Sequence, residues 1–359
     1  MKSRSEGQNK ISKIRKLFDR AGFPEIIEKN SISAIKIHFG ERGNDSYINP
    51  VYVRQVVDKI KESGGKPFIT DTNTLYSGSR HNSVDHLNTA YEHGFVPGVV
   101  GAPLIIADGL LSRNATEVEI EKKHFKKVQI ARDIADADNM IVLTHFKGHM
   151  LSAFGGAIKN IAMGCTSISG KMQQHSARPE VVEVKCRGCG MCYKVCPSGA
   201  IQIANKKASV QKQKCTGCGE CMTVCSEEAF TLDWATEIPE FLERMTESAL
   251  GAINNKKEKV GYINFLMDIV PDCDCCPWSD APIVPDIGIL ASKDPVALDK
   301  ASYDLVNQQA GFKDTRLQKN FAAGKDKFRG VYENINGLLQ ITYGEEIGLG
   351  SAEYNLIEV

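Results

Sequence analysis

The stretch Ile32-Ser-Ala-Ile-Lys-Ile-His-Phe39, followed by Pro50 to Ser63 and then by Lys66-Pro-Phe-Ile-Thr70, decides the fold. Residues 32 to 39 are rich in apolar and β-branched side chains and read as a strand. Pro50 opens a helix-patterned run, where a fixed φ and a missing N–H suit the first turn. Gly64-Gly65 ends that run, and Lys66 to Thr70 reads as a second strand. This is a β-α-β unit, and such a unit implies parallel strands joined by a crossover helix.

The same alternation continues in both directions. Upstream, Ile11, Ile14, Leu17 and Phe18 repeat at helical spacing until Ala21-Gly22, before Pro24. Downstream, 82 to 93 reads as a helix, Leu104 to Ala107 and Met140 to Thr144 as buried strands, and Glu117 to Ile120 with Lys127 to Ile130 as a hairpin or edge pair. Beyond residue 230, the pattern predicts a helix over 237 to 254, strands at Lys259 to Leu266 and Ile287 to Ala291, and a helix from Asp294-Pro295 to about Gln309. The expected architecture is α/β: a mostly parallel sheet domain formed by both halves of the chain, residues 1 to 180 and 231 to 359, with an inserted domain at 181 to 230. Three domains in series would leave the last of them only a few strands.

The insert carries two cysteine quartets, Cys186-Arg-Gly-Cys189-Gly-Met-Cys192-Tyr-Lys-Val-Cys196-Pro197 and Cys215-Thr-Gly-Cys218-Gly-Glu-Cys221-Met-Thr-Val-Cys225. The double C-x2-C-x2-C-x3-C run is an iron-sulfur spacing, in which the fourth cysteine of each run reaches the other cluster. This assigns Cys186, Cys189, Cys192 and Cys225 to one 4Fe-4S cluster, and Cys215, Cys218, Cys221 and Cys196 to the second. Zinc knuckles or a disulfide framework are the alternatives; zinc sites generally pair two C-x2-C hooks across a longer spacer and use four ligands, not eight in two equal runs. The segment resembles the bacterial two-cluster ferredoxins, departing from them at Ser226, where the first repeat has Pro197.

With 44 basic and 44 acidic residues the formal charge is zero, so no global field draws nucleic acid or an anionic membrane. The charged start, Met-Lys-Ser-Arg-Ser-Glu, lacks the apolar core of a signal peptide, and no run approaches 18 apolar residues. Twelve cysteines point to a reducing, cytoplasmic setting.

Three further segments hold polar groups that a plain core would not use. Thr144-His145-Phe146-Lys147-Gly148-His149 falls at the carboxyl end of a strand, where open α/β sheets bind ligands. Phe154-Gly155-Gly156-Ala157-Ile158-Lys159-Asn160 puts paired glycines before a short helix, with free N–H groups expected to meet an anion and Lys159 and Lys171 as counter-charges. It is not a Walker loop, because Gly164 to Gly170 has five intervening residues and Met172 follows Lys171. In Asp272-Cys273-Asp274-Cys275-Cys276, an extended segment would point Cys273 and Cys275 one way and Cys276 the other. With His145 and His149, these thiols are candidates for a third site, binding zinc or iron. Buried, inert thiols are the plainer reading. His38 and His124 read as structural or solvated, and Asp71, Asn73 and Tyr76 as either turn formers or site groups.

The strings His145-Phe-Lys-Gly-His149, Gly155-Gly-Ala-Ile-Lys-Asn160, Asp272-Cys-Asp-Cys275, Pro285-Asp-Ile-Gly-Ile-Leu290 and Asp294-Pro-Val-Ala-Leu-Asp299 resemble the prokaryotic family of domain of unknown function 362, many of whose members carry such a cluster insert. A fainter similarity joins the histidine-rich and Gly-Gly-x-x-Lys segments to the nickel-pincer lactate racemases. It implies His145 or His149 as the acid-base pair and Lys159 as a cofactor contact. The function expected is an iron-sulfur oxidoreductase or electron-transfer protein passing electrons through two 4Fe-4S clusters to a site at the strand ends. A redox partner protein, a small-molecule substrate and an additional metal, flavin or other redox cofactor accompany that reading, with no nucleic acid and no membrane. Its rivals are a non-catalytic ferredoxin-like carrier with an α/β docking body, and an isomerase or racemase with accessory clusters.

Overall fold

The computed structural model describes Gly7 and residues 9–76, 78–175, 178–196, 198–215, 220–233 and 238–359. Six strands build the central sheet: β1 (Ile32–Lys36), β2 (Lys66–Asp71), β3 (Leu104–Ile106), β4 (Asn139–His145), β5 (Val260–Leu266) and β6 (Gly288–Ser292). Their spatial order is β6-β5-β4-β1-β2-β3, parallel throughout except for β6, which runs antiparallel to β5. Four strands come from before the cysteine-rich segment and two from after it, so both halves of the chain form one sheet.

Period-2 alternation divides the strands between two cores. Ile35, Ile141, Leu143 and Ile263 face one layer, under helices α1 (Lys10–Arg20) and α2 (Pro50–Glu62). Ala34, Met140, Val142 and Tyr262 face the other, under helices α3 (Ala157–Gly164), α4 (Ile238–Ile253) and α5 (Pro295–Asn307). Both layers cover a mostly parallel sheet, as the near-continuous apolar runs of its strands require. The edge hairpin Ala115–Glu119 with Lys127–Ala131 pairs antiparallel. No helix among the described residues is long and apolar enough to cross a membrane.

Strand Arg178–Val181 at the start of the insert pairs antiparallel with Phe230–Asp233 at its end, Arg178 opposite Asp233. The chain therefore leaves the α/β body and returns to it at one place. Between them lie the short helices Met191–Val195 and Glu220–Thr223 and the hairpin Ile201–Ala204 with Lys207–Val210.

Two sequence expectations change here. The first strand stops at Lys36, leaving His38 in the following loop. Residues 273–276 form a turn closed by Cys276 N–H on the Cys273 carbonyl at 2.9 Å, not an extended segment. Pro197 and Cys218 lie outside the described residues.

Candidate functional site

From β1 the chain winds outward to β2 and β3, then returns to lay β4, β5 and β6 on the opposite side of β1. The strand order reverses between β1 and β4, and a crevice beyond the carboxyl ends at such a point is where open α/β sheets bind ligands. A cavity of about 460 Å³ occupies that position. Lys36 enters it from β1 and His38 from the loop after it, Asp71 from β2, and His145, Lys147 and His149 from β4 and the segment after it. Lys159 comes from α3, Lys171 and His175 from the helix Ile168–His175, and Cys273 and Cys275 from the loop after β5.

The walls carry many ionic groups with few acids to match. Lys36 Nζ bonds Asp71 Oδ1 at 2.9 Å and Asn160 Oδ1 at 2.7 Å, and Arg80 reaches Asp71 at 3.5 Å and Glu41 at 3.2 Å. Burial works to raise the Asp71 pKa, yet Lys36 and the neighbouring cations hold it well below the usual carboxylate range. Lys147 pairs with Asp274 at 3.1 Å. Lys171 bonds neutral oxygens, Thr72 Oγ1 and the Thr166 carbonyl, each at 2.6 Å, and burial pushes its pKa down to about 8.

His145 and His149 have different surroundings. His145 Nδ1 lies 2.8 Å from Asp274 Oδ1 and its Nε2 lies 2.8 Å from the Asp268 carbonyl, so each ring nitrogen faces an acceptor. His149 Nδ1 accepts the Leu151 and Ser152 N–H groups, both at 3.2 Å, which leaves its hydrogen on Nε2. Burial, then Lys159, lowers the His149 pKa to about 4, and burial lowers those of His38 and His175 to about 3.

The third polar segment brings Cys273 and Cys275 to the cavity wall and leaves Cys276 off it. One donor atom from each of His149, Cys273 and Cys275 lies within 4.8 Å of the others. His145 does not join them, because Asp274 and Asp268 occupy both its nitrogens. One nitrogen and two sulfurs suit zinc or iron, but a ligating histidine usually donates its other N–H, whereas His149 Nδ1 accepts. Lys159 Nζ stands 3.8 Å from Cys273 Sγ. A hydrogen bond from Cys275, then Lys159 and His149 working against burial, holds the Cys273 thiol well below its ordinary pKa. Cys275, in contact with the thiols of Cys273 and Cys276 and buried, is raised.

Two tight approaches fix this geometry. A Cβ on Gly148 would meet the Pro271 carbonyl oxygen at 2.0 Å, and the Gly148 N–H bonds the Val270 carbonyl at 2.8 Å, docking the cysteine loop on the turn after β4. A Cβ on Gly156 would meet Asp299 Oδ1 at 2.3 Å. The expected anion cradle is thus filled by the protein itself. Ala157 and Ile158 donate their N–H groups to the Asp299 carboxylate at 2.7 and 2.9 Å. Sequence reasoning missed this cap, 142 residues distant from Ala157. It also missed Lys36, although a lysine within an apolar strand run is a visible signal, and Arg80. Asn73 serves as a brace, donating to Asp108 and to the Gly109 carbonyl, and His124 contacts Glu243 at 2.5 Å away from the cavity.

In the insert, Cys186, Cys189 and Cys192 line one small cavity together with Cys225 of the second quartet. Ala208, Ala229 and Ala200 aim N–H groups at the sulfurs of Cys186, Cys225 and Cys196 at 3.4, 3.3 and 3.2 Å. Gly188 and Gly190 have φ of 71° and 78°, as a chain wrapping tightly around a bound group needs. Four converging thiols with amide donors fit an iron-sulfur cluster. Cys215, Cys221 and Cys196 are described for the second set; Cys218 is not. Met222, next to Cys221, packs on Leu75, Ile168 and Met172, and Leu75 lines the strand-end cavity.

Fold and site together define an α/β protein with a switch-point crevice of cations and thiols and a cysteine-rich insert beside it. Residues 34–304 match the family described as Domain of unknown function (DUF362), and the chain belongs to that family. Among solved structures, the chain is similar to the lactate racemase apoprotein from Thermoanaerobacterium thermosaccharolyticum, at 12% identity and a TM-score of 0.42, over 82% of this chain and 56% of that one. It is also similar to a protein from Thermotoga maritima, at 8% identity and a TM-score of 0.34, over 71% of this chain and 49% of that one. The chain thus spans about half the length of these structures. No curated protein matches it.

Proposed function

We propose that this protein is an iron-sulfur oxidoreductase or electron-transfer protein of the reducing cytoplasm, and that the strand-end crevice is its reaction site. In this reading, 181 to 230 form a ferredoxin-type domain. Cys186, Cys189, Cys192 and Cys225 hold one 4Fe-4S cluster, and Cys215, Cys218, Cys221 and Cys196 hold the other. When bound, such clusters supply one-electron transfer at potentials tuned by hydrogen bonds to sulfur and by exposure.

The observation that carries this reading is that Cys225 lines the same cavity as the first three cysteines of the other quartet, the crossed partnership that the spacing calls for. Met222 on Leu75 supports a short route from the insert to the crevice. A plain carrier has no use for a buried cavity of lysines and thiols. There, Lys159 and Lys171 offer positive charge to an anionic substrate, and His149 holds a hydrogen on Nε2. Val184, Met191 and Tyr193 are exposed beside the first quartet and offer an apolar seat for a redox partner protein.

Anaerobic purification followed by iron, acid-labile sulfide and visible absorbance measurements tests the proposal. Iron and sulfide each near eight per chain are expected. A colourless protein holding zinc and no sulfide would sink it.

A further inference from the structure

We propose that Cys273 and Cys275 are a redox pair, a dithiol that closes to a disulfide on the crevice wall and stores two electrons. The inference deepens the function proposed above and rests on it only for the source of the electrons.

The geometry supplies the first support. Cys273 and Cys275 are two residues apart, so their Cα atoms stand at most about 7 Å apart even in an extended chain, and the turn closed by Cys276 N–H on the Cys273 carbonyl brings them nearer. A disulfide spans about 4.4–6.8 Å between Cα atoms. The two sulfur atoms lie within 4.8 Å of each other, and Cys275 stands between the Cys273 and Cys276 thiols. Both sulfur-bearing residues line the crevice, while Asp274 between them pairs with His145 and Lys147.

The surroundings supply the second. Lys159 at 3.8 Å and the His149 Nε2 hydrogen both stabilise a negative sulfur, the species that reacts in thiol–disulfide chemistry. Cys165 is an internal contrast. It is fully buried without a neighbouring thiol, and burial pushes its pKa up to about 11, as for an inert core cysteine. The loop is also braced against movement. Tyr332 donates to the Pro271 carbonyl at 2.8 Å, and Arg316 pairs with Asp272 at 2.6 Å.

In the reducing direction the S–S bond breaks, two electrons arrive one at a time from a low-potential one-electron donor, and one proton goes to Cys275. The products are the Cys273 thiolate, its charge balanced by Lys159, and the Cys275 thiol. In the oxidising direction the bond reforms, Cys275 releases that proton, and both electrons pass to a two-electron acceptor such as a substrate disulfide.

The test equilibrates the anaerobically purified holoprotein in dithiothreitol buffers of graded potential, quenches it in acid, then unfolds and alkylates it for peptide mass spectrometry. We expect a Cys273–Cys275 bridge at the oxidising end and two alkylated thiols at the reducing end, with one midpoint. Cys275→Ser should abolish the bridge and leave iron unchanged. Lys159→Gln should move the midpoint to lower potential, because the cation favours the thiolate form. A Cys275–Cys276 bridge, no bridge at any potential, or stoichiometric zinc shielding both thiols overturns the inference. A colourless protein that still cycles this pair defeats the cluster reading and leaves the pair intact.

Discussion

Ala157, Ile158 and the Asn264 side chain all donate to the Asp299 carboxylate, the last at 2.8 Å, and Gly156 is the residue that lets it come so close. A carboxylate at a helix N-terminus satisfies orphan amides and meets the positive end of the helix dipole. Asp299→Ala strands three buried donors, at about 1–3 kcal/mol each, so we expect a loss of about 3 kcal/mol or more in urea unfolding. A loss under about 1 kcal/mol would show that water or another acceptor replaces the carboxylate. The paired glycines were legible as a place where something negative approaches a helix. That the anion comes from the same chain was not legible, because only the fold brings residue 299 to residue 157.

At the scale of elements, most strands and helices could be read from periodicity, including the β1-α2-β2 unit and the edge hairpin. Their order in the sheet could not, and that order sets which strand ends meet. Lys36, Asp71, His149 and Cys273 converge because the sheet reverses direction between β1 and β4, a fact of topology that no local window contains. The insert behaves differently, since in the proposed cluster reading the spacing of its thiols itself assigns which of them share a group. Cys186→Ser and Cys225→Ser should therefore give the same partial loss of iron and the same change in absorbance. Cys215→Ser should give a different spectrum. Matching spectra for Cys186→Ser and Cys215→Ser would contradict the crossed pairing.

For the molecule as a whole, burial leaves His38, His149 and His175 uncharged, with pKa values of about 3, 4 and 3 against 6.5 for a free histidine. As pH falls from 6.5 towards 4 the unfolded chain takes up these protons and the native one does not, so stability falls across that window. Asp299, raised by burial from 3.8 to about 6, pulls the other way together with Asp108 and Asp133, also raised, while buried His86 is lowered and adds to the histidines' side. We expect the urea midpoint to drop from pH 6.5 to 4, and His149→Asn to flatten that slope. A midpoint constant over this range would mean that the cavity admits the protons without unfolding.

The sheet closes only when β5, starting at Val260, reaches β4, which ended at His145. During synthesis at roughly 5–20 residues per second, about 115 residues must emerge in between, so the flank of β4 waits unpaired for about 6–23 seconds. Within that interval the whole cysteine-rich segment leaves the ribosome, ahead of β5. On the proposed cluster reading, that segment can be loaded before the body that carries it is complete, and a delay in loading would fall on a nascent chain whose sticky edge is still open.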